Sequence, residues 1–448
     1  CFFGLITNNV IRVKEITDSS AVVYEAPVLT ASNFKATTPE IVPVTEVVTP
    51  VSVESSYDAS PKQFVHLHVH SQFSVLQATT EIKAIVKKAK AHGSPAIAIT
   101  DHGNMMAAFQ FVSEALKNDI KPIVGCEINL CKDHKDKTNK DDGFQIVLIA
   151  KNKEGYHNLA KLSSIAYTSG FYYVPRIDRD LLLQYKDNLI VSTGSVWGEI
   201  PWTILNVGEE KAEELFLWWK EIFGDDFYAE LNRHGLEEED VVNRTLIRFC
   251  EKHNVKYFAA NSNYYADKEQ SEAQDALMCV KEGEYVSKPS KYIGKRGRDF
   301  RFGFPNNSFY IKSPEEMHLL FRDLPEALST TLEIEQKCET YKLAREVLLP
   351  KFDIPLEFQN AEDAVDGGKR GENAFLRHLT LEGAKKRYPE ITPEIQDRLE
   401  FELKTIENSG YPGYFLIVQD FCNEARRRGV SVGPGRGSAA GSAVAYCI

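Results

Sequence analysis

Two groups of residues have types and spacing suited to chemistry. The first is Gly433-Pro434-Gly435-Arg436-Gly437-Ser438-Ala439-Ala440-Gly441-Ser442, four glycines and two serines in ten residues, running into the helix-capable Ala443-Val444-Ala445-Tyr446. Glycine allows positive φ and close backbone approach, Ser438 can cap the following helix, and its first-turn N–H groups present partial positive charge to a phosphate. The run is not a P-loop, because no Lys-Ser/Thr pair follows the glycines. A helix-packing turn is the alternative reading. The second group is His66-Leu67-His68-Val69-His70. In a strand its three imidazoles share one face, the geometry of a metal site at a strand end. His102, closing Ile97-Ala98-Ile99-Thr100-Asp101, and Glu127, after Gly125-Cys126, add an imidazole and a carboxylate at two further strand ends. Such donors suit Zn, Mn or Fe and, in a cluster, phosphate-ester hydrolysis; a set of structural histidines is the plainer reading.

The elements that must position these residues alternate along the chain. Strand signals at 64–68, 95–100, 122–130, 144–150, 189–193, 227–232 and 257–260 are separated by helical periodicity at 80–91, 105–117, 156–167, 213–223 and 241–253. Strands separated by helices imply parallel βα units closing into a complete or distorted barrel of the α/β class, with polar strand ends forming the active face. After Glu284 the character changes. Lys288, Lys291, Lys295, Arg296, Arg298 and Arg301 stand against Asp299, with Tyr292 and Phe300 between them. This stretch reads either as a nucleic-acid patch or as a solvated loop. Residues 314–348 and 372–428 read as mainly helical. The divisions expected are 1–25 as a remnant of an upstream segment, 26–62 as a Thr/Val/Pro-rich linker, 63–285 as the first domain and 286–448 as the second.

The 448 residues leave room for two or three domains, with 43% hydrophobic and 26% charged residues. No apolar run reaches the ~18 residues of a membrane span. A net charge of −11 argues against nucleic-acid binding by the whole surface. The eight cysteines lack C-x-x-C or compact spacing, which predicts reduced thiols in a cytoplasmic protein. The chain starts with Cys1 and ends just past the glycine turn, which reads as a fragment cut at both ends.

Phe64 to Ser74, Ile97 to Asn104, Ile120 to Gly125, Gly413-Tyr414-Phe415-Leu416-Ile417-Val418 and Val432 to Ser438 occur in this order. Together they resemble the alpha subunits of bacterial DNA polymerase III, with phrasing similar to the Bacteroidetes branch, over about 64–448. The resemblance implies a PHP domain, a distorted (βα)7 barrel, followed by the first part of a palm similar to that of the polymerase beta superfamily (α+β). It implies a replicative DNA-directed DNA polymerase working with primer-template DNA, dNTP, a sliding clamp, a clamp loader and a proofreading exonuclease. At the turn it assigns Gly437 and Ser438 to the phosphates of the incoming nucleotide, with Arg436, Gly435, Gly441 and Ser442 around them. It places the Mg²⁺-binding aspartates downstream, so no catalytic residue is assigned within these 448 residues and the fragment alone is expected not to polymerise.

The same resemblance predicts a degenerate PHP site. His68, His70, His102 and Glu127 stand at matching positions, whereas Gln77, Gln145, Ser195, Ser262 and Tyr264 replace expected carboxylate, imidazole and thiolate ligands. Neutral side chains do not offset the charge of clustered divalent cations, so no bound metal is expected there. The competing functions are a free-standing phosphoesterase or 3′–5′ exonuclease similar to histidinol phosphatase, and a non-catalytic scaffold that docks the exonuclease.

Overall fold

The computed structural model describes residues 62–293, 299–345, 350–433 and 438–448. The expected upstream remnant and nearly all of the expected linker lie outside the described residues.

Seven strands, β1 (Ala96–Ile99), β2 (Lys121–Leu130), β3 (Phe144–Ala150), β4 (Arg176–Ile177), β5 (Leu189–Ser192), β6 (Phe227–Asn232) and β7 (Tyr257–Ala260), form one sheet. Their order is β1-β2-β3-β5-β6-β7, with β4 paired to β2. The sheet is not uniformly parallel as expected. β3 runs antiparallel to both β2 and β5, while the β1–β2, β5–β6 and β6–β7 pairs are parallel. The reason is local: no helix forms between Leu130 and Phe144, and a parallel return requires a crossover.

The first predicted strand, 64–68, does not form a regular ladder. It is an extended run shared between the two edges of the curled sheet. Ala98 N–H donates to the His66 carbonyl at 2.9 Å and Thr100 N–H to that of Val69 at 2.8 Å. On the other side His70 N–H donates to the Asn263 carbonyl at 2.9 Å, and Asn263 N–H to that of His68 at 3.2 Å.

Alternation along the strands separates two zones inside the curl. Val65, Leu67, Ala96, Ala98, Ile123, Val147, Ile149, Ile190, Tyr228, Phe258 and Ala260 form one apolar cluster, which Ile334 and Cys338 join from the end of the helix Pro325–Lys337. Two or four residues further along the strands the same face turns polar, as in Glu127, Ser192, Glu230, Asn232 and Ser262. Helices cover the outside, burying Leu159, Leu162, Phe216, Leu246 and Phe249 in one cluster and Ile85, Val86, Phe111 and Val112 in another. The stretch after 286, expected to open a second domain, contributes Ile311, Met317, Phe321 and Leu328 to these clusters. A separate core joins the helices Arg370–Arg387, Pro393–Ser409, Pro412–Arg427 and Ala443–Cys447 through Leu376, Ala384, Leu399, Leu403, Leu416 and Val444.

Among the described residues no helix is long and apolar enough to cross a membrane. Cys126, Cys131, Cys250, Cys279, Cys338, Cys422 and Cys447 are free thiols.

Candidate functional site

Glu127 lies near the C-terminal end of β2, 1% exposed, with three imidazoles around its carboxylate. Its Oε2 meets His102 Nδ1 at 2.8 Å and His70 Nε2 at 3.2 Å. Its Oε1 faces His68 Nε2 at 3.3 Å, and neither of those two buried atoms has a hydrogen bond. Two of the rings are also held on their far side. His68 Nδ1 donates to Glu230 Oε1 at 2.7 Å, and His70 Nδ1 donates to the Asn263 carbonyl at 3.0 Å. With Nδ1–H committed on both rings, the Nε2 atoms point at the Glu127 carboxylate, the orientation that carboxylate–histidine–metal triads use.

Burial opposes charge on His68, but Glu230 and Glu127 outweigh it and push its pKa up to about 10. Burial likewise opposes ionisation of Glu127, yet the three imidazoles around it, His102 first, hold its carboxyl well below the ordinary range. Glu230 is lowered by His68 against the same burial cost. In the described structure a proton on His68 neutralises part of two buried carboxylates.

His66 shows the opposite outcome two residues earlier. Its Nε2 meets the Lys312 carbonyl at 2.8 Å and its Nδ1 meets Asn263 Nδ2 at 3.1 Å, so burial dominates and lowers its pKa to about 4. The three imidazoles of the His66–His70 motif are therefore not equivalent.

Of the substituted positions, Ser262 Oγ lies 3.3 Å from His68 Nδ1. Tyr264 stacks on the His70 ring, with centroids 4.2 Å apart and planes 13° from parallel. Gln77, Gln145, His102 and Tyr264 line one cavity of ≈ 580 Å³ at the mouth of the curl. Ser195 is buried in the Thr193–Gly198 turn, where its Oγ accepts from Trp197 N–H at 3.4 Å.

The sequence reading missed Glu230 and Asp101. Glu230 alternates with Asn232 at the end of an otherwise apolar strand, and a carboxylate in such a strand is itself a signal of an internal partner. Asp101 accepts from Ser71 N–H, Ser71 Oγ and Ser74 Oγ, each at 2.7 Å, and the Ser74 hydroxyl in turn accepts from His102 N–H at 3.0 Å. This chain sets the height of His102 beside Glu127.

At the other candidate site, Gly435, Arg436 and Gly437 lie outside the described residues, as does the Ser438 side chain. Ser438 opens a single 3₁₀ turn, Ser438–Gly441. The cap of the final helix is Ser442: its Oγ accepts from Ala445 N–H at 3.1 Å and donates to Glu402 Oε2 at 2.7 Å. Val444 N–H also donates to Glu402 Oε2, at 3.0 Å. A buried carboxylate therefore accepts from the first turn of the final helix in the described structure.

In the basic stretch, Lys295, Arg296 and Arg298 lie outside the described residues. Arg301 is 5% exposed and doubly bonded to Asp275, with both N–O distances 2.6 Å, and Tyr292 is buried in an aromatic cluster with Phe304 and Phe309. These two groups build the fold. Arg301→Met is expected to lower stability by about 1–2 kcal/mol through the lost charge-assisted bonds; calorimetry showing an unchanged Tm would contradict this.

Comparison with known proteins follows the same division. Residues 66–234 match the PHP domain family, and residues 374–448 match the bacterial DNA polymerase III alpha NTPase domain family. A DNA polymerase III subunit alpha of Borreliella burgdorferi is 43% identical over 391 residues, covering 86% of this chain and 32% of that protein. The Campylobacter jejuni subunit is 36% identical over 407 residues, covering 86% of this chain and 33% of that protein. The chain thus spans about a third of the length of these relatives. Among solved structures, an amidohydrolase from Chromobacterium violaceum aligns with a TM-score of 0.31 and 11% identity, covering 45% of this chain and 87% of that one. By its two matched regions and its 86% coverage in these alignments, the chain belongs to the family of bacterial DNA polymerase III alpha subunits.

Proposed function

We propose that the protein is the polymerising subunit of a bacterial replisome, a cytoplasmic DNA-directed DNA polymerase that transfers a nucleotide from dNTP to a primer 3′-hydroxyl with Mg²⁺. The observation that carries this reading is the 43% identity to a polymerase alpha subunit across 86% of the chain. Its substrates are primer-template DNA and dNTP, and its partners are a sliding clamp, a clamp loader and a proofreading exonuclease. The PHP unit begins near Gln63, and the palm-like part includes the helices of 350–448.

Gly437 and Ser438 hold the phosphates of the incoming nucleotide, with Arg436 and Gly435 beside them. Gly441 and Ser442 complete this turn, and Ser442 ties it to the helix Pro393–Ser409 through Glu402. In the full-length protein, Ser438→Ala is expected to raise the KM for dNTP at least severalfold, as the loss of one charge-assisted hydrogen bond would. A wild-type KM in a primer-extension assay would refute the assignment.

The barrel site is proposed to be structural. A phosphoesterase centre uses several cations and a bridging water, and here Gln77, Gln145, Ser195, Ser262 and Tyr264 supply no charge for them. The donor set fits one ion at most: His68 Nε2, His70 Nε2 and a Glu127 oxygen lie within 4.8 Å of one another, and two of those atoms lack a hydrogen bond. This supports a second reading in which one cation replaces the His68 proton and holds the three side chains together. Metal analysis with a 3′–5′ exonuclease assay separates the readings. Metal-free protein without nuclease activity is expected; stoichiometric metal with nuclease activity abolished by His70→Ala would overturn the structural role.

A further inference from the structure

The cavity of ≈ 580 Å³ at the mouth of the curl falls within the size range of small-molecule sites. Its walls include the rings of Phe144, Tyr173, Trp197, Trp202, Tyr264 and Phe304. The polar groups among them are mostly neutral amides: Gln77, Asn104, Asn129 and Gln145. The formal charges in the lining are Asp142, Glu282 and Lys281, a net of one negative, while the imidazole of His102 is held by Glu127. Among the described residues a phosphate or other anion finds no cluster of cations here.

One polar atom is left open. Gln145 Oε1 is buried and has no hydrogen-bond partner, although an amide lining a polar cavity ordinarily finds one. Asn129 is already engaged, its Nδ2 lying 3.3 Å from His102 Nε2 and donating to the Pro175 carbonyl at 3.2 Å. Behind the cavity Tyr264 is braced, with His70 stacked on its ring and Phe304 at 4.8 Å. Rings supply stacking faces, and a single unfilled amide supplies edge recognition.

We propose that this cavity binds an uncharged planar heteroaromatic ring of nucleoside size, stacked among its aromatic walls and hydrogen-bonded to the side-chain amide of Gln145. The inference rests on the structural reading of the barrel site given above. Two sources present the same chemistry: a free nucleoside and an unpaired base of single-stranded DNA.

Trp197 and Trp202 line the cavity, so tryptophan fluorescence reports occupancy. Adenosine, thymidine, a short single-stranded oligonucleotide and inorganic phosphate are titrated separately into the protein, without added metal. Saturable quenching by a nucleoside is expected, with none by phosphate. Gln145→Leu is expected to weaken binding about five- to tenfold, the loss of one hydrogen bond. Gln145→Glu, nearly the same shape, keeps the fold and alters affinity through charge; an unchanged thermal melt verifies that each variant is folded. Quenching by the nucleosides alone assigns the free ligand, and tighter binding of the oligonucleotide assigns an unpaired DNA base.

No saturable response to nucleoside or oligonucleotide, saturation by phosphate instead, or wild-type affinity in Gln145→Leu would overturn the proposal. Metal analysis of the same sample keeps the outcomes apart. Bound metal with nuclease activity would remove the structural reading, whereas protein without nuclease activity that ignores both nucleosides and oligonucleotide would remove this inference alone.

Discussion

Glu127→Gln is expected to lower the free energy of unfolding by about 3 kcal/mol, the usual cost of removing one partner from a buried charge network. The carboxylate faces His68, His70 and His102 at once, and an amide presents only one acceptor oxygen to them. His68 would then keep only Glu230 as an anionic partner. Urea titration should show a lower midpoint with an unchanged m value; a wild-type midpoint would mean that the imidazoles need no anion.

The same network predicts the pH profile. The pKa of His68 is raised in the folded state to about 10 from its ordinary 6.5, so its contribution is complete below 6.5 and is lost as pH rises through about 10. Glu127 and Glu230 are lowered from 4.5, so theirs is complete above 4.5 and is lost as pH falls through their folded values. Between pH 7 and 10 the protein should therefore lose stability progressively. His68→Gln should flatten that alkaline slope, and an unaltered slope in this variant would show that His68 is neutral.

Gly383→Ala is expected to release the end of the chain from the helical core. A Cβ at this position would lie 1.9 Å from the Cys447 carbonyl oxygen, a backbone atom with no room to retreat while the last helix stays docked. Such overpacking costs about 1–3 kcal/mol, and residues 438–448 are held mainly by Val444, Cys447 and the Glu402–Ser442 bond. Hydrogen exchange should accelerate in 438–448 of the variant while the barrel strands keep their protection. Unchanged protection in that peptide would show that the helix Arg370–Arg387 can shift to accommodate the methyl group.

Most of the strands and the longer barrel helices were legible from their apolar residues: Phe227–Asn232 and Tyr257–Ala260 form the strands that these indicated, whereas the helices Glu199–Asn206 and Ser271–Glu282 were not anticipated. The orientation of β3 was not, because direction depends on what fills the gap after Leu130, and a loop with neither helix nor tight turn is ambiguous. Glu127 and the histidines could be read from spacing and resemblance. Glu230 required knowing which strand lies opposite His68, a contact 162 residues away in sequence. Ser442 was misjudged relative to Ser438 for a similar reason. Either serine could cap a helix locally, and it is Glu402, in another helix, that engages Ser442. Arg301 looked like part of a DNA-binding stretch because its acid, Asp275, lies outside the local charge run.

The extended run 64–70 sets a timetable for synthesis. It is bonded to both edges of the sheet, and one of its partners, Asn263, is 193 residues later than His70. At roughly 5–20 residues per second, about 10–40 s pass between the emergence of the histidines and that of the segment that seats them. During that interval an imidazole-rich strand with unpaired backbone waits outside the ribosome, open to stray metal ions and to neighbouring chains. The closing seam of the barrel is thus its first-made part and its last-finished one.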